Sequence, residues 1–216
     1  MGRAIAEAFA AEGARLALTA TDTAHLRATA SACAAVGATP LLYGLELADP
    51  DEPARVGVEA VAELGGLDVL VNNAGLLGER GALADSRPDV FDRVVAVTVG
   101  GTLRLVQAVL PAMGHGSAIV NVTSGAAGRP GWGAYGVSRL ALNGMTSMLR
   151  DELADRGIRV VAVNPGPART AMRAAAYPKE DPATVPHPAA LVEPFVAIAA
   201  GADPGAGVVE ASQWRG

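Results

Sequence analysis

The sequence predicts an α/β fold, a doubly wound parallel sheet with helices on both faces and three layers in all. Helical and strand-like segments alternate along almost the whole chain, as such a fold requires. Of the central strand-like segments, LDVLVNN (67–73) is a continuous apolar run, and SAIVNVTS (117–124) and IRVVAVNPG (158–166) are mainly apolar. A strand covered by helices on both faces needs apolar side chains on both, so these runs mark buried parallel strands. Each run also ends in Asn, Ser or Gly. Ligands of open parallel sheets bind beyond the carboxyl ends of the strands.

The elements come in order. Residues 2–12 place Ile5, Ala8 and Phe9 on one helical face and Glu7 and Glu12 on another, and Gly13 stops the helix. ARLALTA (14–20) reads as a short strand. A second helix spans 22–36, with Asp22 or Thr23 as N-cap and Gly37 after its end. TPLLYGLEL (39–47) is the next strand. The helix over 49–64 opens with acidic residues, Pro50 and Pro53, as a helix start prefers. A long helix over about 88–113 comes after the strand at 67–73, and a second, over about 133–156, after the strand at 117–124. Residues 167–188 carry Pro167, Pro178, Pro182, Pro186 and Pro188 and read as a mobile loop. A last helix near 188–200 and the strand GVVEAS (207–212) complete the pattern. There are no repeats, and 1–216 reads as one domain.

Composition narrows the function. Of 216 residues, 50% are hydrophobic, enough to bury a substantial core. A net charge of −5 and the absence of any Lys/Arg cluster argue against a nucleic-acid or polybasic membrane partner. Lone Cys33 excludes an internal disulfide and fits a reducing, cytoplasmic compartment. His25, His115 and His187 have no partner at ligand spacing, so no metal site is expected. No apolar run is read as approaching a membrane span, and the acidic, helical first residues are unlike a signal peptide.

The predicted topology gathers 19–21, 45–47, 72–75, 123–124 and 164–166 around one crevice. In AYGVSRLAL (134–142), Tyr135 and Arg139 stand four apart on a helix and share a face. That helix comes after the strand whose tip is Ser124. An ordinary phenol titrates near 10, too high for efficient proton transfer at neutrality, and a neighbouring cation lowers that value. Ser124, Tyr135 and Arg139 therefore make chemical sense as oxygen binder, acid/base and cation. In NNAG (72–75) the asparagines brace a turn while Ala74 and Gly75 let a ligand lie close. NPGPART (164–170) bares backbone beside the same crevice, and Thr170 is placed to cap the next segment. Taken singly, each of these two motifs is also compatible with a plain turn.

Together, NNAG, IVNVTS, the Tyr-x-x-x-cation helix and NPGPART, in that order at matching strand ends, resemble the short-chain dehydrogenase/reductase family over essentially the whole chain. The resemblance implies a Rossmann-type sheet, NADP or NAD as cofactor, and hydride exchange with a small-molecule carbonyl or alcohol. It implies that Ser124 binds the reacting oxygen and that Tyr135 moves its proton. Asn72, Ala74 and Gly75 would line the adenosine, and Pro165, Gly166, Ala168 and Thr170 the nicotinamide end. Glu46 and Leu47 stand where the family places residues against adenine. Ala20 and Thr21 lack the acid that grips the ribose of NAD, a lean towards NADP. Homodimers or homotetramers through the helices at about 88–113 and 133–156 are also implied.

Three departures accompany the resemblance. Arg139 replaces the family's lysine, keeping the charge but not the proton-releasing ammonium. Thr98 stands where the family has an asparagine supporting a relay water, and a threonine there is expected to bond its own helix backbone. The third concerns the start. MGRAIAEAF resembles only the end of the family's glycine-rich turn, with Gly2 as its last glycine. A strand between those at 14–20 and 67–73 is therefore missing from the pattern, and the coding start is expected upstream of Met1. Otherwise the two flanking strands close the gap by pairing directly. The departures leave a second reading, a weakened dehydrogenase-like scaffold with a binding or oligomer-partner role.

Overall fold

A computed structural model describes residues 1–214. The helices are α1 (Gly2–Ala11), α2 (Thr23–Ala34), α3 (Glu52–Leu64), α4 (Pro88–Val95), α5 (Thr102–Val109), α6 (Gly133–Leu153), α7 (Ala171–Ala176) and α8 (Glu193–Ala199). The strands are β1 (Ala17–Ala20), β2 (Leu41–Gly44), β3 (Val69–Asn72), β4 (Ala118–Val122), β5 (Arg159–Asn164) and β6 (Val208–Glu210). All strand pairs are parallel, in two separate sheets ordered β1-β2 and β3-β4-β5-β6. The α/β alternation is the predicted one.

The apolar runs are explained by two cores. Ala118, Val120 and Val122 of β4 pack with Val161, Val163, Ile5, Phe195 and Ile198 on the α1/α8 side. Ile119 points the other way, into Val106, Val109, Leu153, Ile158 and Val160. Successive side chains of a strand face opposite sides, so both sets must be apolar.

Between the two sheets lies a break. β1 pairs only with β2 and β3 only with β4, so the flanking strands do not close on each other as the sequence reading allowed. The helical layers hold them apart: α1 packs on α2 and α8, and α3 packs on α5.

Other elements depart from expectation. The strand expected at 39–47 is paired only over Leu41–Gly44, because Glu46 and Asp49 form side-chain-braced turns with Ala48, Asp51 and Glu52. The stretch 167–188 is not wholly loop. Thr170 accepts from the Arg173 amide and caps α7, whose alanines are strong helix formers. The expectation about apolar runs also fails. Pro88–Ala112 forms one continuous 25-residue helix whose most apolar 18-residue stretch has a mean hydropathy of 1.6, long and apolar enough by length and composition to cross a membrane. In this fold it packs on α3 and α6 and buries Val94, Thr98 and Val106. Its middle, Ala96–Gly101, is π-helical. A Cβ on Gly101 would lie 2.3 Å from the Leu47 carbonyl oxygen, so only glycine permits this approach to the loop after β2.

Candidate active site

Tyr135 lies in the first turn of α6, only 7% exposed, its ring 5.7 Å from that of Trp132. One turn on, Arg139 crosses back to the sheet. Its Cζ is 5.1 Å from the Tyr135 ring centroid, and its Nη1 donates to the Val122 carbonyl at the end of β4 at 2.7 Å. The arginine is 3% exposed and its Nε has no hydrogen-bond partner among the described residues. Burial pushes its guanidinium below its ordinary value, and adjacent Tyr135 opposes that shift. A Cβ on Gly75 would fall 1.9 Å from Arg139 Nη2, so the NNAG turn is glycine-ended because the guanidinium rests on it. One cation thus ties α6, β4 and the turn after β3.

Ser124, half-buried just past β4, accepts from the Ala126 amide through Oγ at 3.2 Å. The same loop returns to α6, with Gly128 donating to the Gly136 carbonyl at 3.0 Å. Ser124 and Tyr135 are therefore held by one loop–helix unit. Thr98 is fully buried, but its hydroxyl finds no partner among the described residues. The expected bond to its own helix does not form, since the π-helical register shifts the carbonyl that a threonine normally uses.

The first asparagine of NNAG also has a partner inside the protein. Asn72 Nδ2 donates to Asn121 Oδ1 at 2.8 Å, Asn121 Nδ2 to Thr146 Oγ1 at 2.9 Å, and Thr146 to the Leu142 carbonyl at 2.7 Å. This buried chain stitches β3 to β4 and α6. Asn121 and Thr146 escaped the sequence reading. Their signal was an asparagine inside the apolar run IVNV, opposite Asn72 in the sheet register.

The remaining predicted positions spread along the crevice. Ala20 and Thr21 follow β1, and Ala20 accepts from the Leu45 amide. Glu46 is committed: it accepts from Ala48 and pairs with Arg93, while Leu47 packs with Tyr43 and Val56. Ala74 lines the mouth of the sheet break beside Gly2. Met1 gives α1 no side-chain cap, which leaves first-turn N–H groups of the helix unmet. Beyond β5, Asn164 Oδ1 accepts from the Gly166 amide at 3.0 Å and braces buried Pro165 and half-buried Gly166, the latter at φ +75°. Ala168 is buried and Thr170 caps α7.

Beside Tyr135, through Trp132, stands a cluster of aromatic rings and guanidinium groups. Arg80 lies between Trp132 and Tyr177, at 4.2 and 4.8 Å from their centroids, and donates to the Ala176 carbonyl at 2.7 Å. Arg173 covers the other face of Tyr177 at 3.8 Å and makes a two-pronged pair with Glu180. Trp132 thus packs between Tyr135 and the Arg80–Tyr177 pair. The segments 76–87 and 167–188 meet through Arg80 and Ala176.

The chain belongs to the short chain dehydrogenase family, whose model matches residues 1–181. It is an α/β oxidoreductase fold of Rossmann type. Among individual proteins it is 42% identical over 130 residues to the uncharacterized oxidoreductase YciK of Escherichia coli K12. That match covers 58% of this chain and about half, 51%, of the relative's length. Two solved structures are equally similar in shape. A short chain dehydrogenase of Shigella flexneri 2a, complexed with NADP, superposes with TM-score 0.90 at 32% identity, covering 97% of this chain and 91% of that one. One of Escherichia coli CFT073, complexed with NADPH, gives 0.89 at 33% identity with the same coverage.

Proposed function

We propose that this protein is an NAD(P)-dependent oxidoreductase that interconverts a carbonyl and an alcohol, with Tyr135 as acid/base. The observation that carries the reading is the buried Tyr135 phenol on α6 with the Arg139 guanidinium beside its ring, at the end of β4. A bound nicotinamide would supply hydride to the substrate carbon, or accept it. The Tyr135 hydroxyl gives a proton to the substrate oxygen on reduction and takes it back on oxidation. Ser124 holds that oxygen, and Arg139 keeps positive charge beside the phenol. The cluster of Trp132, Arg80 and Tyr177 limits water access.

The residues fit such a cofactor. The uncapped start of α1 at Gly2 offers backbone donors to a pyrophosphate. Glu46, Leu47, Asn72, Ala74 and Gly75 flank the adenosine end, and Pro165, Gly166, Ala168 and Thr170 the nicotinamide end. NADP is favoured over NAD, because Ala20 and Thr21 present no carboxylate to ribose hydroxyls and both cofactor complexes named above hold NADP or NADPH. Exposed Leu103, Leu140 and Met148, on α5 and α6, support a homodimer or homotetramer through these helices. Titration with NADPH, followed by nicotinamide fluorescence, tests the reading: saturable binding is expected, and none at high cofactor concentration overturns it.

A further inference from the structure

One cation near Tyr135 lacks a counter-charge. Arg87 pairs with Glu79 and Asp89, and Arg173 with Glu180. Arg80 has no carboxylate within ion-pair distance among the described residues. It sits in the corner made by the Trp132 and Tyr177 rings, whose centroids are 6.0 Å apart, and spends one N–H on the Ala176 carbonyl. Rings and a carbonyl hold a guanidinium in place but do not neutralise it. Its backbone is held as well. The Gly81 amide donates to the Gly131 carbonyl at 3.2 Å, and a Cβ on Gly133 would lie 2.9 Å from the Glu79 carbonyl oxygen. The turn that carries Arg80 is thus seated on the start of α6, the helix of Tyr135. Arg80 also lines a cavity of about 430 Å³. Its other walls are Leu77, Ala175, Ala176 and glycines, so among the described residues Arg80 supplies the one charged side chain there.

We propose that this cavity receives a carboxylate at the far end of the substrate, so that the compound whose carbonyl or alcohol meets Tyr135 is an oxo or hydroxy acid. The inference rests on the acid/base reading of Tyr135. The two oxygens of a carboxylate match the planar fork of a guanidinium. One negative charge balances one cation, whereas a phosphate would bring more charge and more acceptor oxygens than these walls can meet. Trp132 touches both Tyr135 and Arg80, and offers an apolar face along which a carbon chain runs from one end to the other. Walls of leucine, alanine and glycine accommodate methylene groups and offer no side-chain hydrogen bonds of their own. The guanidinium therefore sets the polarity of the ligand.

The test compares straight-chain methyl ketones that end in a carboxylate with the methyl esters of the same acids, each reduced with NADPH. In the natural chain kcat/KM is expected to favour the acid by at least about tenfold, and the preference to shrink as salt rises. Arg80→Gln is expected to bring the acid-to-ester ratio to about one, through KM more than kcat, while Arg80→Lys keeps part of it. A ratio near one in the natural chain, or one that Arg80→Gln leaves unchanged, overturns the proposal and leaves proton transfer by Tyr135 standing. A binding measurement does not depend on turnover. Hexanoate, but not hexanamide, is expected to shift the Trp132 indole NMR signal, assigned with Trp132→Phe, in the natural chain and not in Arg80→Gln. That pattern without turnover of any ketone supports the carboxylate site and counts against the role of Tyr135 instead. A shift that hexanamide matches, or none at all, overturns the site.

Discussion

The two sheets are built from strands of similar length and covered very differently. Every residue of β4 and all but the first of β5 is buried, whereas β1 buries none fully and β2 only Tyr43. The residues proposed to do chemistry, Ser124, Tyr135 and Arg139, belong to the covered half. Those proposed to meet the adenosine end, Ala20, Thr21, Glu46 and Leu47, belong to the open one. The two ends of one site thus rest on unequal foundations. The proton-handling end is fixed by a double-sided core and a buried amide chain, and the cofactor end by a strand pair held through α2, α3 and local turns.

The comparison can be broken or sharpened by mutation. Tyr135→Phe is expected to leave circular dichroism unchanged and to lower turnover by about 10²–10⁴-fold; activity that survives it removes the chemistry from the covered half. Next come paired truncations in the two halves. Ile119→Ala, fully buried in β4, should cost about 2–5 kcal/mol of unfolding free energy, while Leu18→Ala, already beside a cavity, should cost about 1 kcal/mol or less. Equal losses in urea titrations would erase the distinction.

Asn121→Ala should cost about 1–3 kcal/mol, because it leaves buried Asn72 and Thr146 without their shared partner. Arg139→Lys is a smaller change. It restores a releasable proton and relieves contact with Gly75, and turnover is expected to rise by about a factor of a few.

The smallest effect concerns the open half. Asp22 caps α2, and backbone N–H bonds, from His25 first and Ala24 second, hold its carboxyl below the usual aspartate value. A carboxyl depressed in the folded state stabilises above its unfolded pKa, and that contribution disappears as pH falls through the folded one. Any Tm advantage of the natural chain over Asp22→Asn should therefore shrink between about pH 6 and about pH 3.

Much of this was legible beforehand, for identifiable reasons. The runs at 117–124 and 158–166 became β4 and β5 because a mainly apolar strand has no place except between two layers. Tyr135 and Arg139 were placed on one face by helical spacing alone, and Asp22 announced its cap. The misses share a cause, dependence on a partner distant in the chain. The bond of Asn72 to Asn121 went unread because the two lie 49 residues apart. Thr98 was expected to bond its helix, yet docking of Gly101 on Leu47 accompanies a π-helical turn there. Arg80 carried no signal in LLGER until α7 and Trp132 came to meet it.

The sequence by itself determined the order of elements, the double-sided core and the polar strand ends, because periodicity and caps act within a few residues. The tertiary structure alone decided that β1 and β3 stand apart, that one arginine binds α6 to two strand ends, and that another arginine lies between Trp132 and Tyr177. Those features depend on which distant surfaces meet, and close packing settles that only once the layers assemble.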